Sequence, residues 1–356
     1  MPFDPPEEGV PLAPLSTLGV GGAARWFARV TSVSDVIAAH GWAAPRGAPL
    51  FVLGGGSNLV IADEGFDGLV LQVALRGVKA VVEGEDTIIS AGAGEPWDPV
   101  VDFTVSRGLA GLECLSGIPG TVGGTPIQNV GAYGQEVASS IESVTAFDRR
   151  EQRTVVLSAS ECGFAYRMSR FKQDDAGRFV VCEVAFRLRP GAGTATYPDL
   201  VEDLSRDGIA SPGVCDVRDA VLTIRRRKGM VIDADDPDTR SVGSFFMNPV
   251  VDRATFQRIG TSTPHFAMEN GKVKVPAAWL IERSGFARGH VDGGVGLSSK
   301  HPLAIINRAG ATARDIVRFA RRIKTAVRDR FGINLRPEPV FIGFDPDDPD
   351  IASLTS

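Results

Sequence analysis

Residues 112–136 read LECLSGIPGTVGGTPIQNVGAYGQE, and within this run fall Gly117, Gly120, Gly123, Gly124, Gly131 and Gly134. Their irregular spacing fits no solenoid, collagen or helical period. Glycine is used where φ must be positive or where backbone must approach something closely, so the run points to a ligand lying on main chain. Successive turn-like segments present several N–H groups to one side, which binds phosphate oxygens without lysine. Gln128 and Asn129 add amide groups suited to a heterocycle edge, and Tyr133 adds an aromatic wall. The alternative is a Gly/Pro-rich surface loop, but loops of this length without secondary structure are uncommon unless functional.

A second cluster lies upstream. Residues 49–60, PLFVLGGGSNLV, read as a buried strand that opens into Gly54, Gly55 and Gly56, then Ser57, Asn58 and Leu59. A strand ending in glycine and small polar residues brings backbone amides to a diphosphate. The G-x-G-x-x-G spacing and following helix of a Rossmann fingerprint are missing here. The nearest match, GVGGAA at 19–24, follows the proline-broken PLAPLSTL instead of a strand and is rejected as a dinucleotide loop.

The 356 residues allow two or three domains. A formal charge of -5 and a pI near 5.5 argue against nucleic acid as a partner. No apolar run is long enough to span a bilayer, and the first ten residues, MPFDPPEEGV, are acidic where a secretory signal is basic and then apolar. A cytoplasmic protein without membrane insertion is expected, and a monomer. Cys114, Cys162, Cys182 and Cys215 lack C-x-x-C pairing, and His40, His265, His290 and His301 form no cluster. Reduced, mostly buried thiols and no metal follow.

Strand patterns at 25–30, 68–73, 78–84, 87–94, 143–149, 151–158 and 178–190 mix with helical ones at 32–40 and 98–109. In the first helix Ser32 or Ser34 is the candidate cap, with Val36, Ile37 and Ala38 inward; Gly108 stops the second. This mixture suits an α+β nucleotide-binding domain better than a regular βαβ series. A helix is expected over 216–228, with Asp216 as N-cap and Gly229 beyond its end. Its basic last turn, 225–228, either answers the helix dipole or reaches an anionic substrate. Residues 230–241, MVIDADDPDTRS, read as an exposed acidic loop. Helices follow from Pro276 and over 312–331, and the tail 345–356 reads as frayed. In INLRPEPVFIG, 333–343, Pro337 and Pro339 hold Glu338 on extended backbone.

AYRMSRFK (165–172), GSFFMNPV (243–250) and LRPEPVFIG (335–343) join TLGVGG (17–22), LGGGSNL (53–59) and GIPGTVGGTPIQNVGAYG (117–134). In this order the set resembles the UDP-N-acetylenolpyruvoylglucosamine reductase family of peptidoglycan synthesis, from about residue 17 to residue 343. The resemblance implies an α+β fold: a two-lobed FAD-binding domain of the vanillyl-alcohol-oxidase type over 20–190, then a C-terminal α+β substrate-binding domain over 213–346. It implies a flavoprotein oxidoreductase, UDP-N-acetylmuramate dehydrogenase, that takes a hydride from NADPH through FAD to the enolpyruvyl double bond of UDP-N-acetylglucosamine enolpyruvate. FAD is expected non-covalently, since no histidine or cysteine attachment motif is present.

Carried over by position, the flavin lies on Gly54, Gly55, Gly56, Ser57, Asn58 and Leu59 and on Gly117, Ile118, Pro119, Gly120, Gly123, Gly124, Gln128, Asn129, Gly131, Ala132, Tyr133 and Gly134, with Arg225 beside it. Adding hydride to the methylene carbon leaves enolate character next to a carboxylate, so the site needs a cation or acid there and a proton donor for the adjacent carbon. The resemblance gives Arg167 the substrate carboxylate, in the two-pronged way a guanidinium allows. It gives Glu338 a share in stabilising the enol, and Ser244 the proton. Tyr166, Tyr197, Lys228, Asn248 and Lys274 match substrate-binding positions. Pro198 in ATYPDL and Met247 in GSFFMNPV depart from the glycine and lysine common in the family. Another flavin oxidase of the same superfamily, or a catalytically silent binding module, is the alternative reading.

Overall fold

Packing divides the chain into two units that interleave along the sequence: Met1–Val10, Ala24–Gly55 and Asp67–Val231 form one, and Pro11–Ala23, Gly56–Phe66 and Ile232–Ser356 the other. The computed structural model describes residues 4–260, 262–268 and 271–356, so residues 1–3 of the acidic N-terminal stretch lie outside the described residues. The architecture is α+β. A break made once along the chain does not reproduce this division, because the second glycine cluster itself is split between Gly55 and Gly56.

Two large sheets and a short antiparallel hairpin, Gly131–Ala132 with Gln135–Glu136, build the first unit. The elements in order are β1 (Glu7–Pro11), β2 (Ala23–Val30), α1 (Val33–Ala43), β3 (Leu50–Leu53), β4 (Leu59–Ile61, which belongs to the second unit), β5 (Phe66–Val73), β6 (Val78–Glu83), β7 (Asp86–Gly92), α2 (Trp97–Val105), β8 (Ile141–Asp148), β9 (Arg153–Ser158), β10 (Phe179–Pro190), α3 (Pro198–Arg206) and α4 (Val214–Arg227). One sheet runs β1-β2-β5-β3, with β3 and β5 parallel; the other runs β9-β8-β10-β7-β6 through antiparallel pairs. Alternating apolar residues of both sheets, among them Leu69, Leu71, Ile89, Val144, Val184 and Phe186, meet Val36 and Ala39 of α1 and Trp97 and Val101 of α2 in one core. Helix α1 starts with a reciprocal capping box between Ser32 and Asp35. Its inner face is Val36, Ala39 and Ala43, and Ile37 is 45% exposed; the true stripe follows the 3.6-residue period instead of the adjacent triplet expected from sequence.

Asp148 closes the β8–β9 turn by accepting from the Arg150 and Glu151 N–H groups, and it takes the Arg178 guanidinium in two-pronged fashion at 2.6–3.1 Å. Arg178 first, then the turn amides, draws this buried carboxyl down to about 2. A depressed carboxyl contributes stability above its unfolded pKa of about 4 and loses it as pH falls through the folded value. Asp148→Asn is therefore expected to cost about 1–2 kcal/mol at neutral pH, discounted for the partly exposed arginine. The check is urea unfolding of both proteins, whose midpoints should converge as pH approaches the folded value.

The second unit is built on α7 (Ala313–Phe331). Before it come β11 (Val250–Val251), α5 (Arg253–Ile259), β12 (Phe266–Ala267), β13 (Val273–Lys274), α6 (Ala277–Arg283), β14 (Val291–Asp292), β15 (Val295–Leu297) and β16 (Ile305–Asn307), and after it β17 (Val340–Ile342) and α8 (Pro349–Thr355). Thr312 and Asp315 box the start of α7, and Gly332 ends it with φ +67°. Its buried stripe of Ile316, Phe319, Ile323 and Val327 packs with Phe245, Phe246, Leu280, Leu297 and Leu335. The tail is ordered, contrary to the expectation of fraying. Asp348 caps α8, Ile351 and Leu354 are buried, and the Lys324 ammonium bonds the Leu354 and Ser356 carbonyls at 2.8 and 2.6 Å. Nor is the acidic 230–241 segment uniformly exposed: Asp238, Thr239 and Ser241 are buried.

Candidate functional site

In the first unit a tight turn, closed by Ala165 and Met168 through reciprocal 3.0 Å backbone bonds, carries Tyr166 and Arg167 at its tip. Arg167 Nη2 donates to the Gly131 carbonyl at 2.6 Å and Nη1 to that of Asn129 at 3.5 Å, so this arginine is tied to the long glycine run. Asn129 lies beneath the turn, fully buried. Its amide nitrogen donates to Glu136 (2.7 Å) and to the Ala165 carbonyl (3.0 Å), and its oxygen accepts from Ala138 N–H (3.1 Å). The side chain assigned to a heterocycle edge thus supports the Arg167 turn, because a buried amide must satisfy its own donors and acceptor locally. Among the described residues, Asn129, Tyr133, Gln152 and Arg167 combine a side chain with positive φ, between 45° and 56°. Three of these four are candidate site residues. Each such conformation costs on the order of 1–3 kcal/mol and persists where the surroundings over-determine it, commonly at functional sites.

The start of the glycine run is fixed by a residue that the sequence reading missed. Gly117 N–H donates to Asp98 at 2.6 Å, and Arg218 clasps the same carboxylate at 2.7 and 2.9 Å. Burial pushes the Asp98 carboxyl up, but Arg218 and the Gly117 amide outweigh it and hold it below the usual range. The partners are 120 residues apart, and no local pattern joins them.

Arg225, expected beside the flavin, stands against Gly117: its Nε is 3.4 Å from where a Gly117 Cβ would be. Nη2 donates to the Met230 carbonyl at 2.7 Å. Nε is sealed from water with no hydrogen-bond partner, and burial draws the guanidinium below its ordinary value. A buried cation short of one acceptor beside an amide-rich loop fits an anionic group such as a dinucleotide pyrophosphate.

Two glycines show different reasons for their residue type. A Cβ on Gly55 would stand 2.6 Å from Gly120 Cα, so the two clusters lie backbone on backbone. At Gly124 a Cβ would meet nothing within 4 Å, so the main chain there is bare and open.

Tyr133 meets Tyr197 edge to face, with ring centroids 5.6 Å apart. Tyr197 is the N-cap of α3, and Pro198 stands at the first helical position, where a missing N–H costs nothing. The proline that departs from the family's glycine is therefore a helix start. Lys228 pairs with Asp199 at 2.7 Å and Arg227 with Asp203 at 3.3 Å. The basic last turn of α4 thus has acidic partners on α3, besides the dipole. Gly213 is the N-cap of α4, and Asp216, expected in that role, reaches back from the third position.

In the second unit the segments bearing Ser244 and Glu338 pair through the Phe245 backbone. Phe245 N–H donates to the Leu303 carbonyl at 2.8 Å, and Phe245 O accepts from Glu338 N–H at 2.9 Å. A bridge between Phe246 and Pro337 and the bond from Met247 N–H to Arg336 O (3.0 Å) continue the pairing. Phe245 and Phe246 are buried with ring centroids 5.2 Å apart, holding Ser244 at the edge of the core. Asn58 joins the same place: its Nδ2 donates to Glu338 O at 3.4 Å, and its carbonyl accepts from Val340 N–H at 3.0 Å where β4 and β17 run parallel. Asn248 Oδ1 accepts from Ala277 N–H at the start of α6 (2.9 Å), and the Lys274 ammonium lies 5.5 Å from the Phe266 ring centre. By unit, Arg167, Tyr133, Tyr166, Tyr197, Arg225 and Lys228 belong to the first, and Asn58, Ser244, Asn248, Lys274 and Glu338 to the second. No helix is long and apolar enough to cross a membrane, and no metal-binding group occurs, among the described residues.

Residues 24–156 match the model of an FAD binding domain, and residues 235–342 match that of the UDP-N-acetylenolpyruvoylglucosamine reductase C-terminal domain. UDP-N-acetylenolpyruvoylglucosamine reductase of Thermobifida fusca is 48% identical over 348 residues, covering 94% of this chain and 97% of the relative. That of Salinispora arenicola is 46% identical over 349 residues, covering 95% and 96%. The crystal structure of the reductase from Thermus caldophilus, 27% identical, superposes with a TM-score of 0.66 over 94% of this chain and 98% of that one. Identity at this level, sustained across almost the whole of both chains, places this chain in the UDP-N-acetylenolpyruvoylglucosamine reductase family.

Proposed function

We propose that this chain reduces the enolpyruvyl group of UDP-N-acetylglucosamine enolpyruvate to give UDP-N-acetylmuramate, with NADPH as donor and non-covalent FAD as cofactor, in peptidoglycan synthesis. The observation that carries the reading is the backbone pairing of the Ser244 and Glu338 segments, in which Phe245 O accepts from Glu338 N–H and Met247 N–H donates to Arg336 O. Bound FAD supplies the two-electron relay between NADPH and the enolpyruvyl double bond; the unpartnered Arg225 Nε and the bare surface at Gly124 support its binding here. The 20–190 and 213–346 regions act as flavin and substrate domains.

The chain's own groups do the rest. Arg167 takes the substrate carboxylate, where its charge counters the negative charge that builds as the double bond is reduced. Glu338 shares in stabilising the enol form. Ser244 delivers the proton to the carbon that bears the carboxylate, so the reduced product leaves neutral at that carbon. Tyr166, Tyr197, Lys228, Asn248 and Lys274 hold the nucleotide sugar. The reading carries with it a cytoplasmic monomer that serves wall growth, cell shape and division.

The test is direct. Purified protein should be yellow and should turn over NADPH continuously only when the enolpyruvyl UDP-sugar is present. Steady NADPH oxidation with oxygen alone, at the same rate with and without that sugar, defeats the assignment.

A further inference from the structure

Resting on that reading, we infer that Asp238 is a positioning residue for the reduction: it fixes Ser244 by gripping, at Ser299, the turn over 298–304 whose Leu303 carbonyl takes the Phe245 N–H. The acidic segment that contains it had no role in the sequence reading.

Asp238 is 6% exposed. One carboxylate oxygen accepts from Ser299 N–H at 3.2 Å, and the other from the Ser299 hydroxyl at 2.5 Å. Its own N–H donates to Asp236, whose second oxygen takes the Lys300 ammonium at 2.5 Å. Asp236 and Asp238 thus hold consecutive residues, Ser299 and Lys300. Within the turn, Ser298 Oγ accepts from Lys300 and His301 N–H at 3.0 and 3.2 Å, and His301 Nδ1 accepts from Leu303 N–H at 3.1 Å. These bonds leave the turn little freedom, so moving Ser299 moves Leu303. The Leu303 carbonyl in turn accepts from Phe245 N–H, the amide next to Ser244.

A second route runs along the chain itself. Three residues after Asp238, Ser241 bridges Ile306; Arg240 O accepts from Asn307 N–H at 3.0 Å, and Ser241 O accepts from the Thr17 hydroxyl at 2.6 Å. Ser241 Oγ then accepts from Gly243 N–H at 3.1 Å. Ser244 is therefore approached from both directions by segments that meet again at Asp238 and Ser299. A proton donor must be held to within a fraction of an ångström, and about 1 Å of displacement caused by a remote change costs roughly 10²-fold. Asp238 touches no reacting atom in this scheme; it acts through Ser299, Leu303 and Phe245.

The experiment compares Asp238→Ala, Asp238→Asn and Ser299→Ala in the flavin-loaded full chain. Reduction of the flavin by NADPH and its reoxidation by the enolpyruvyl UDP-sugar are followed separately by absorbance. Asp238→Ala should keep the first within about twofold and slow the second by about 10–10²-fold, with kcat falling and KM steady. Asp238→Asn keeps an acceptor for Ser299 N–H and should recover much of the loss. Ser299→Ala, at an exposed site and so a mild change to the fold, should reproduce part of it. Unchanged reoxidation in both alanine variants, or equal loss of both half-reactions in Ser299→Ala, overturns the positioning role. Wild-type flavin that the UDP-sugar fails to reoxidise overturns the proposed function itself, a result distinct from either.

Discussion

Ser244→Ala should leave NADPH able to bleach the bound flavin at the wild-type rate while turnover of the enolpyruvyl UDP-sugar falls by about 10²–10⁴-fold, the usual worth of a positioned acid. The substitution removes one oxygen and little else. The bonds given for this segment are made by backbone groups of Gly243, Phe245 and Met247 and not by the Ser244 hydroxyl, and the neighbouring Phe245 and Phe246 rings stay buried. The alanine variant therefore keeps the geometry and loses the proton. Stopped-flow absorbance separates the two half-reactions, and equal slowing of both would mean that the hydroxyl has no special part in the second. A serine is a weak acid, so its proton becomes transferable only as negative charge builds on the adjacent carbon. For that reason the loss belongs in kcat more than in KM.

Gly55→Ala is the second large effect, and it acts on cofactor retention. The new methyl would sit 2.6 Å from Gly120 Cα and 2.9 Å from Gly120 C, both main-chain atoms that no rotamer change can move aside. Relief requires the two glycine clusters to separate, at a cost of about 1–3 kcal/mol, the usual range for overpacking. Whatever ligand rests on both clusters then loses its fit. The variant should purify with most of its yellow colour gone and unfold at a lower temperature, and excess FAD should restore only part of either. Full flavin content at the normal melting temperature would show that the loops do not meet as described. The same substitution at Gly41 of α1, outside both clusters and with nothing within 4 Å of its Cβ position, makes a useful control.

Signals that reside in a few consecutive residues were legible from the chain alone. Ser32, one of two candidate caps, the start at Thr312 and Gly332 beyond Phe331 marked helix ends because caps are local hydrogen bonds; their partners Asp35 and Asp315 emerged only in the fold. The two glycine clusters and the proline-flanked Glu338 stood out for a similar reason, since each constrains its own backbone. Partnerships made by folding left no trace. Nothing near Asp98 announces Arg218, 120 residues away, and nothing near Asn129 announces that its amide will be used beneath residue 165. Composition misled twice, in the tail and in the 230–241 segment, where acidic residues and prolines suggested water. There the carboxylates are caps and clamps: Asp348 begins α8, and Asp238 holds Ser299. A charged residue's destination depends on donors supplied from elsewhere, which its own neighbourhood does not encode.

The parallel pairing of β4 with β17 has a consequence for biogenesis. Asn58 and Glu338 are 280 positions apart, and at about 5–20 residues per second a ribosome needs roughly 14–56 s to make the stretch between them. Throughout that interval the emerging polypeptide carries Leu59–Ile61 as an unmatched edge, although residues on either side of it can already assemble with their own neighbours. This pairing in the second unit thus waits for a segment translated 280 positions later, and chaperone protection of the waiting strand would be of most use in those seconds.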